Sequence, residues 1–263
     1  MAISLNTQPA HEFGDDFFEI TNVAPRQEQR DALAFLTHIG LKMPILFGGS
    51  MRDVVYGLPF KDVDVLGSYR DIGDKTLPEI AQEIEARLSA QSDVSAIFTR
   101  IKFNYHTGGQ QLIVQFLHKG VAVDVTLEDT QLSISQAQAR ENVTLSGAYM
   151  NSDGRIIVHK SFLDAVNGAT FKVVKYRSAK QFLIAIERYI RLRKRDAYRD
   201  YKFRVDIRAC FRNRGTTLPE PWPSMAGFFK HAKRLLGRAK LHEPVHPINP
   251  RKSEPKPDEP AQN

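Results

Sequence analysis

Residues 48–64 constrain this chain more than any other segment. They read Gly-Gly-Ser-Met-Arg-Asp-Val-Val-Tyr-Gly-Leu-Pro-Phe-Lys-Asp-Val-Asp and follow a short apolar run, Ile45, Leu46 and Phe47. The order is strand, glycine pair, helix, turn, and then two aspartates in alternation. Gly48 and Gly49 have no Cβ, so their backbone can take positive φ and let a ligand come close. A helix is expected to begin near Ser50, which can cap it, and the free N–H groups of a helix start favour phosphate. On its own the glycine pair is weak evidence and reads more readily as a tight strand-to-helix turn with no ligand. Arg52 and Asp53 fall in the first helical turn. Either they pair with each other and brace the loop, or Arg52 faces phosphate.

Asp62 and Asp64 alternate with Val63 and Val65. In a strand, alternate side chains share a face, so both carboxylates project together while the valines point into a core. Carboxylates held this close repel unless a cation lies between them. Hard oxygen ligands suit Mg²⁺, which commonly bridges protein carboxylates and substrate phosphates. Two such ions could activate an attacking hydroxyl and stabilise a leaving pyrophosphate. A solvated edge strand with two exposed acids is the plain alternative. A third carboxylate, Asp124, lies in Val-Ala-Val-Asp-Val-Thr-Leu at 121–127, on the face opposite the valines. It is a candidate metal ligand, a candidate base, or a surface aspartate.

These residues resemble the signature of class II CCA-adding enzymes and bacterial poly(A) polymerases, members of the polymerase-β-like nucleotidyltransferase superfamily. That signature is Gly-Gly-x-x-Arg-Asp, a later glycine, then Asp-x-Asp. A second segment, Arg140-Glu141-Asn142-Val143-Thr144-Leu145-Ser146-Gly147-Ala148-Tyr149, is similar to the family's Arg-Arg-Asp-Phe-Thr-Ile-Asn-Ala. It is followed by Asp153-Gly154-Arg155 and Leu163-Asp164-Ala165, where the family has a hairpin and a further helix. The resemblance spans residues 27–192. It implies catalytic magnesium, two ions, on Asp62 and Asp64, and triphosphate on Gly48 and Gly49. It extends the nucleotide-binding set to Ser50, Arg52, Asp53, Arg140 and Asn142, with Asp124 joining the catalytic group. It also departs from the family. Glu141 and Asn142 replace an arginine and an aspartate that help hold the nucleotide. In the base-reading motif, aligned with Arg177 to Gln181, Ser178 and Gln181 replace the aspartate and arginine. Catalysis transfers; base selection does not.

A chain of 263 residues can bury one good core, or a core and a small helical domain. No apolar run approaches the roughly 20 residues of a membrane span, and acidic residues near the start argue against a targeting peptide. A single cysteine, Cys210, excludes an internal disulfide framework and fits a reducing cytoplasm. The net charge of +7 is unevenly spread: residues 171–240 hold 20 Lys/Arg against 5 Asp/Glu. Clustered positive charge gives salt-dependent affinity for phosphate backbones.

The expected fold is α+β: a nucleotidyltransferase head with a small mixed sheet flanked by helices, then a small basic helical domain. Residues 1–24 read as a loose lead-in, 25–175 as the head, 176–240 as a basic helical neck and body, and 241–263 as a disordered tail. Helices are expected at 27–39 and 77–89, and strands at 45–47, 62–66, 96–104, 111–117 and 121–127. A long helix is expected at 178–198, with Arg188, Arg191, Arg195 and Arg199 forming a basic stripe. That stripe is either a solvated face or an RNA contact. Tyr198, Tyr201 and Phe203 interleave with cations, as base-stacking surfaces do, or form a small core. A second basic helix at 228–240 adds Lys233 and Arg234 as RNA contacts.

The chemistry expected is Mg²⁺-dependent transfer of a nucleotide from an NTP to an RNA 3′ end, with tRNA the natural acceptor and no membrane partner. Two alternatives stand: transfer to a protein or small molecule by a toxin-like enzyme, and a relative that binds RNA without catalysis.

Overall fold

The alternation of valine with aspartate in 62–65 sorts the central sheet into a packed face and a polar one. The computed structural model describes residues 3–104, 109–175 and 179–206. They all lie in the first of two units, Met1–Pro219; the second, Glu220–Asn263, and with it the expected helix at 228–240, Lys233, Arg234 and the tail, lies outside the described residues. The elements run β1 (Thr7–Pro9), β2 (Phe17–Ile20), α1 (Gln27–His38), β3 (Ile45–Phe47), α2 (Gly48–Val55), β4 (Asp62–Ser68), α3 (Leu77–Ser89), β5 (Val94–Asn104) and β6 (Gly109–His118). They continue with β7 (Val121–Glu128), α4 (Ile134–Gln138), β8 (Ala148–Met150), β9 (Ile156–His159), α5 (Lys160–Asn167), β10 (Thr170–Val173), α6 (Ala179–Arg193) and β11 (Lys202–Val205).

The fold is α+β. One mixed sheet has the order β1-β2-β9-β8-β3-β4-β7-β6-β5. Only β4 and β7 pair in parallel within it. Val63, Val65, Val123 and Val125 are buried on the packed face. There α1 and α3 cover them: Leu36 and Ile84 line one small apolar gap with Val114, Phe116, Val125 and Leu127, and the Phe35 ring stacks on His118 at 4.3 Å. Helix α3 starts where its sequence says it should. Thr76 and Glu79 form a capping box, with both the Thr76 N–H and its hydroxyl donating to Glu79, and Pro78 sits in the first turn. Such a cap contributes about 1 kcal/mol.

The other face is divided. Near β3 it carries a second core in which Phe17, Ile45, Ile134, Ala137, Tyr149 and Ile157 meet Phe47 and Leu66. Beyond Leu66 the same face is polar and holds Asp62, Asp64 and Asp124.

Two expectations are corrected. The sheet is large, not small, because part of the expected loose lead-in belongs to it: β2 pairs with β9, and Phe17 and Ile20 are buried. Strands of three and four residues are too short for a period-2 signal. The expected long helix at 178–198 stops at Arg193. The chain then turns and returns as β11, which pairs in parallel with β10. Tyr189 lies 5.6 Å from Phe171 and 5.1 Å from Phe203, ring to ring, so residues 179–206 pack onto the head. Tyr198 and Tyr201 are buried as core.

Candidate active site

Strand β3 enters the site and turns straight into α2. Gly48 adopts φ +75°, a conformation that favours glycine. A Cβ there would lie 2.6 Å from Asp64 Oδ2, so the turn is closed down onto that carboxylate. The Gly49 N–H faces the Asp64 carboxylate and favours its charged form. At Gly49 a Cβ would meet only the Arg52 guanidinium, at 3.6 Å, so the fold itself leaves room there. The helix begins at Gly48, two residues before the expected start, because the positive φ lets the chain reverse at once. Ser50 is therefore not the cap: it is fully buried and its hydroxyl donates to the Phe47 carbonyl at 3.5 Å.

The register of β4 and β7 sets Asp64 directly opposite Asp124, and Asp62 opposite Ala122. Gln115 of β6 pairs with Asp124 and donates its amide to Asp124 Oδ1 at 2.8 Å. Burial pushes the Asp64 carboxyl up to about 6, and the negative charges of Asp62 and Asp124 add to the rise; the Gly49 N–H and Arg188 pull the other way. The three carboxylates thus form one electrostatic cluster. Among the described residues no group of three or more His, Cys, Asp or Glu side chains is placed so that it could hold a metal ion. Facing carboxylates nonetheless suit Mg²⁺, which keeps water and substrate phosphate in its shell rather than an all-protein cage.

Around the cluster, Glu141 is a residue the sequence presented only as a departure. Removal from water raises its carboxyl to about 7, Arg188 and a Ser146 hydrogen bond lower it, and Asp64 raises it. Arg188, expected as an RNA contact, also directs its charge at Asp64 and Glu141. Asn142 Oδ1 is buried with no hydrogen-bond partner, which costs free energy unless a donor reaches it. Arg140 is engaged by Glu128 at 2.5 Å.

Of the two alternatives for Arg52 and Asp53, the geometry shows the pair. Asp53 is buried and accepts from Arg52 Nε at 3.0 Å and Nη2 at 2.9 Å. Arg195 donates to the other Asp53 oxygen at 2.7 Å and to the Pro59 carbonyl at 2.6 Å; the Tyr198 hydroxyl donates to Asp53 at 3.3 Å. The Arg52 guanidinium also lies over the Tyr198 ring. Arg195 thus leaves the expected stripe because α6 ends before it. Arg199 pairs with Asp196 at 2.5 Å on the surface, and Arg188 and Arg191 remain exposed on α6.

No protein-family model matches the chain, and no curated protein matches it. Solved CCA-adding enzymes are similar to it. A CCA-adding enzyme with CTP is 16% identical over 80% of this chain and 43% of that one, with a TM-score of 0.43. The Thermotoga maritima CCA-adding enzyme complexed with tRNA is 16% identical over 80% and 40%, with a TM-score of 0.45. A tRNA nucleotidyltransferase with a primer tRNA and an incoming ATP analog is 15% identical over 80% and 49%, with a TM-score of 0.41. The chain spans less than half the length of each of these three.

The cluster has a consequence for stability. Carboxyls raised in the folded state hold protons more tightly there than in the unfolded chain, so their contribution is favourable at low pH and is lost as pH rises from about 4 to about 7. Asp64→Asn is expected to raise the stability of the metal-free protein by about 2 kcal/mol at pH 8, and the gain should shrink toward zero near pH 4. Thermal melts in chelator at both pH values check this; an equal shift at both would contradict it.

Proposed function

We propose that this protein is a magnesium-dependent nucleotidyltransferase that moves a nucleotide from an NTP to an RNA 3′ end, with tRNA or a tRNA-like RNA as acceptor. One observation carries the reading: the glycine turn is closed onto Asp64, which faces Asp124 in register. A phosphate-binding turn and a carboxylate cluster are thereby built as one object.

Asp62 and Asp64 would hold the magnesium, with Asp124 beside them. When bound, the metal would neutralise charge developing on the transferring phosphate. Gly49 presents backbone to the triphosphate with nothing in the way. Arg188 supplies positive charge where pyrophosphate would leave, and the unpaired Asn142 oxygen suits a sugar hydroxyl. The acceptor's 3′ oxygen bonds to the α-phosphorus while the bond from that phosphorus to the bridging oxygen breaks, releasing pyrophosphate. Asp124, with Oδ1 fixed by Gln115, can take the hydroxyl proton on Oδ2. The exposed Arg188 and Arg191, with the excess of cations in 171–240, would support the acceptor. No described helix is long and apolar enough to cross a membrane.

The test is incubation with each α-labelled NTP, Mg²⁺, cellular RNA and cellular protein. Label is expected in RNA and should fall at least a thousandfold in Asp62→Ala/Asp64→Ala, since charge stabilisation of this kind is worth about 10²–10³ per lost group. Label in protein would shift the acceptor; no label in either would refute the enzymatic reading.

A further inference from the structure

The rung that holds the two facing aspartates continues across the sheet. Phe47, Asp64, Asp124, Gln115 and Phe98 are consecutive partners on β3, β4, β7, β6 and β5. Direct partners share a face, so the Phe98 ring stands on the carboxylate side. At about 4.8 Å per strand its backbone lies about 10 Å from that of Asp124. Arg100 and Lys102 follow at two-residue intervals on the same face, pairing with Ile113 and Gln111. Phe98 is 52% exposed, and both cations are exposed and form no ion pair among the described residues.

This arrangement depends on a local irregularity. Ser95 pairs with Leu117, but Phe98 pairs with Gln115, so β5 contains one extra residue, and Ala96 there takes φ +52°. Without the bulge, Phe98 would pair with Val114, whose side chain is buried on the helix-covered face. A one-residue slip turns every side chain to the other face. The bulge, held at a backbone angle unfavourable for alanine, is what brings Phe98, Arg100 and Lys102 to the site.

We propose that this row is the cradle for the unpaired 3′ segment of the RNA acceptor: Phe98 stacks a base, and Arg100 and Lys102 hold the adjacent phosphates. The proposal rests on the RNA-acceptor reading. A row of two exposed cations beside an exposed ring, without an ion-pair partner among the described residues, complements an unpaired polyanion with accessible base faces. A duplex keeps its base faces stacked and offers the ring nothing.

The test uses the full chain and measures fluorescence anisotropy of a short single-stranded oligoribonucleotide and of an RNA hairpin without overhang. Labelling of RNA from NTP is followed in parallel. Arg100→Gln/Lys102→Gln is expected to weaken single-strand binding about tenfold at low salt and to reduce the slope of log K against log salt by roughly 1.4, two phosphate contacts' worth. Phe98→Ala is expected to weaken it about tenfold with no change of slope. The KM for NTP should be unchanged in both, and the hairpin should bind less tightly than the single strand. Single-strand binding equal to wild type in all variants overturns the proposal, as does a change in self-association alone, which would make the cations guards of an edge strand. If wild type still labels RNA in that case, only the cradle falls. If wild type neither labels nor binds RNA, the cradle and the acceptor reading fall together.

Discussion

Asp53→Ala is expected to destabilise the protein by about 3–5 kcal/mol, the largest stability loss of any single substitution considered. The carboxylate has 6% of its side chain exposed and is the shared partner of Arg52, Arg195 and the Tyr198 hydroxyl. Removing it leaves the mostly buried Arg52 guanidinium and the partly buried Arg195 guanidinium without their shared counter-charge. Asp53→Asn keeps the shape but not the charge and is expected to lose somewhat less. For a unit of about 200 residues each kcal/mol moves the melting temperature by about 2–4 °C, so the alanine variant should melt roughly 10 °C or more below wild type. Arg195→Ala should lose less, because Arg52 still neutralises Asp53. A double-mutant cycle between positions 53 and 195 should show coupling above 1 kcal/mol. An unshifted melt in Asp53→Ala would mean that the network adds nothing to stability. The network joins the last turn of α2 to the chain that follows α6.

The parts of the site that were legible in the sequence are those written in adjacent residues. Glycine pair, helix and Asp-x-Asp lie within one short stretch, and period-2 alternation put Asp62, Asp64 and Asp124 on polar faces before any fold was known. What alternation could not supply was register. Nothing local says that Asp124 stands opposite Asp64 rather than Asp62, since pairing across 60 residues is fixed by the whole sheet. Arg195 was misplaced for a related reason: its i,i+4 spacing from Arg191 is real, but α6 ends at Arg193 and the pattern has no helix to ride on. Its partner Asp53 is 142 residues away. The β5 bulge leaves no glycine to mark it, only Ala96 in an unusual angle. The first two strands were too short to register a period.

Gly48→Ala and Gly49→Ala should separate, although the sequence presents the two glycines as equivalents. At position 48 alanine meets two obstacles: φ +75° is unfavourable for a side chain, and its Cβ would stand 2.6 Å from Asp64 Oδ2. Relief requires the turn or Asp64 to move, and either movement breaks the Gly49 N–H contact to that carboxylate. Backbone strain of this kind costs about 1–3 kcal/mol, and displacement of a reacting group by about 1 Å costs about 10²-fold in rate. Gly48→Ala is therefore expected to lower kcat at least a hundredfold together with melting temperature. At position 49 the free protein accommodates a methyl at ordinary contact distance, so Gly49→Ala should melt like wild type. If backbone approach to the triphosphate is why glycine stands there, its defect should appear as a KM for NTP raised tenfold or more, which neither the melt nor RNA binding would report. A wild-type KM in Gly49→Ala would remove Gly49 from the phosphate site and leave Gly48 as a purely conformational requirement of the carboxylate cluster.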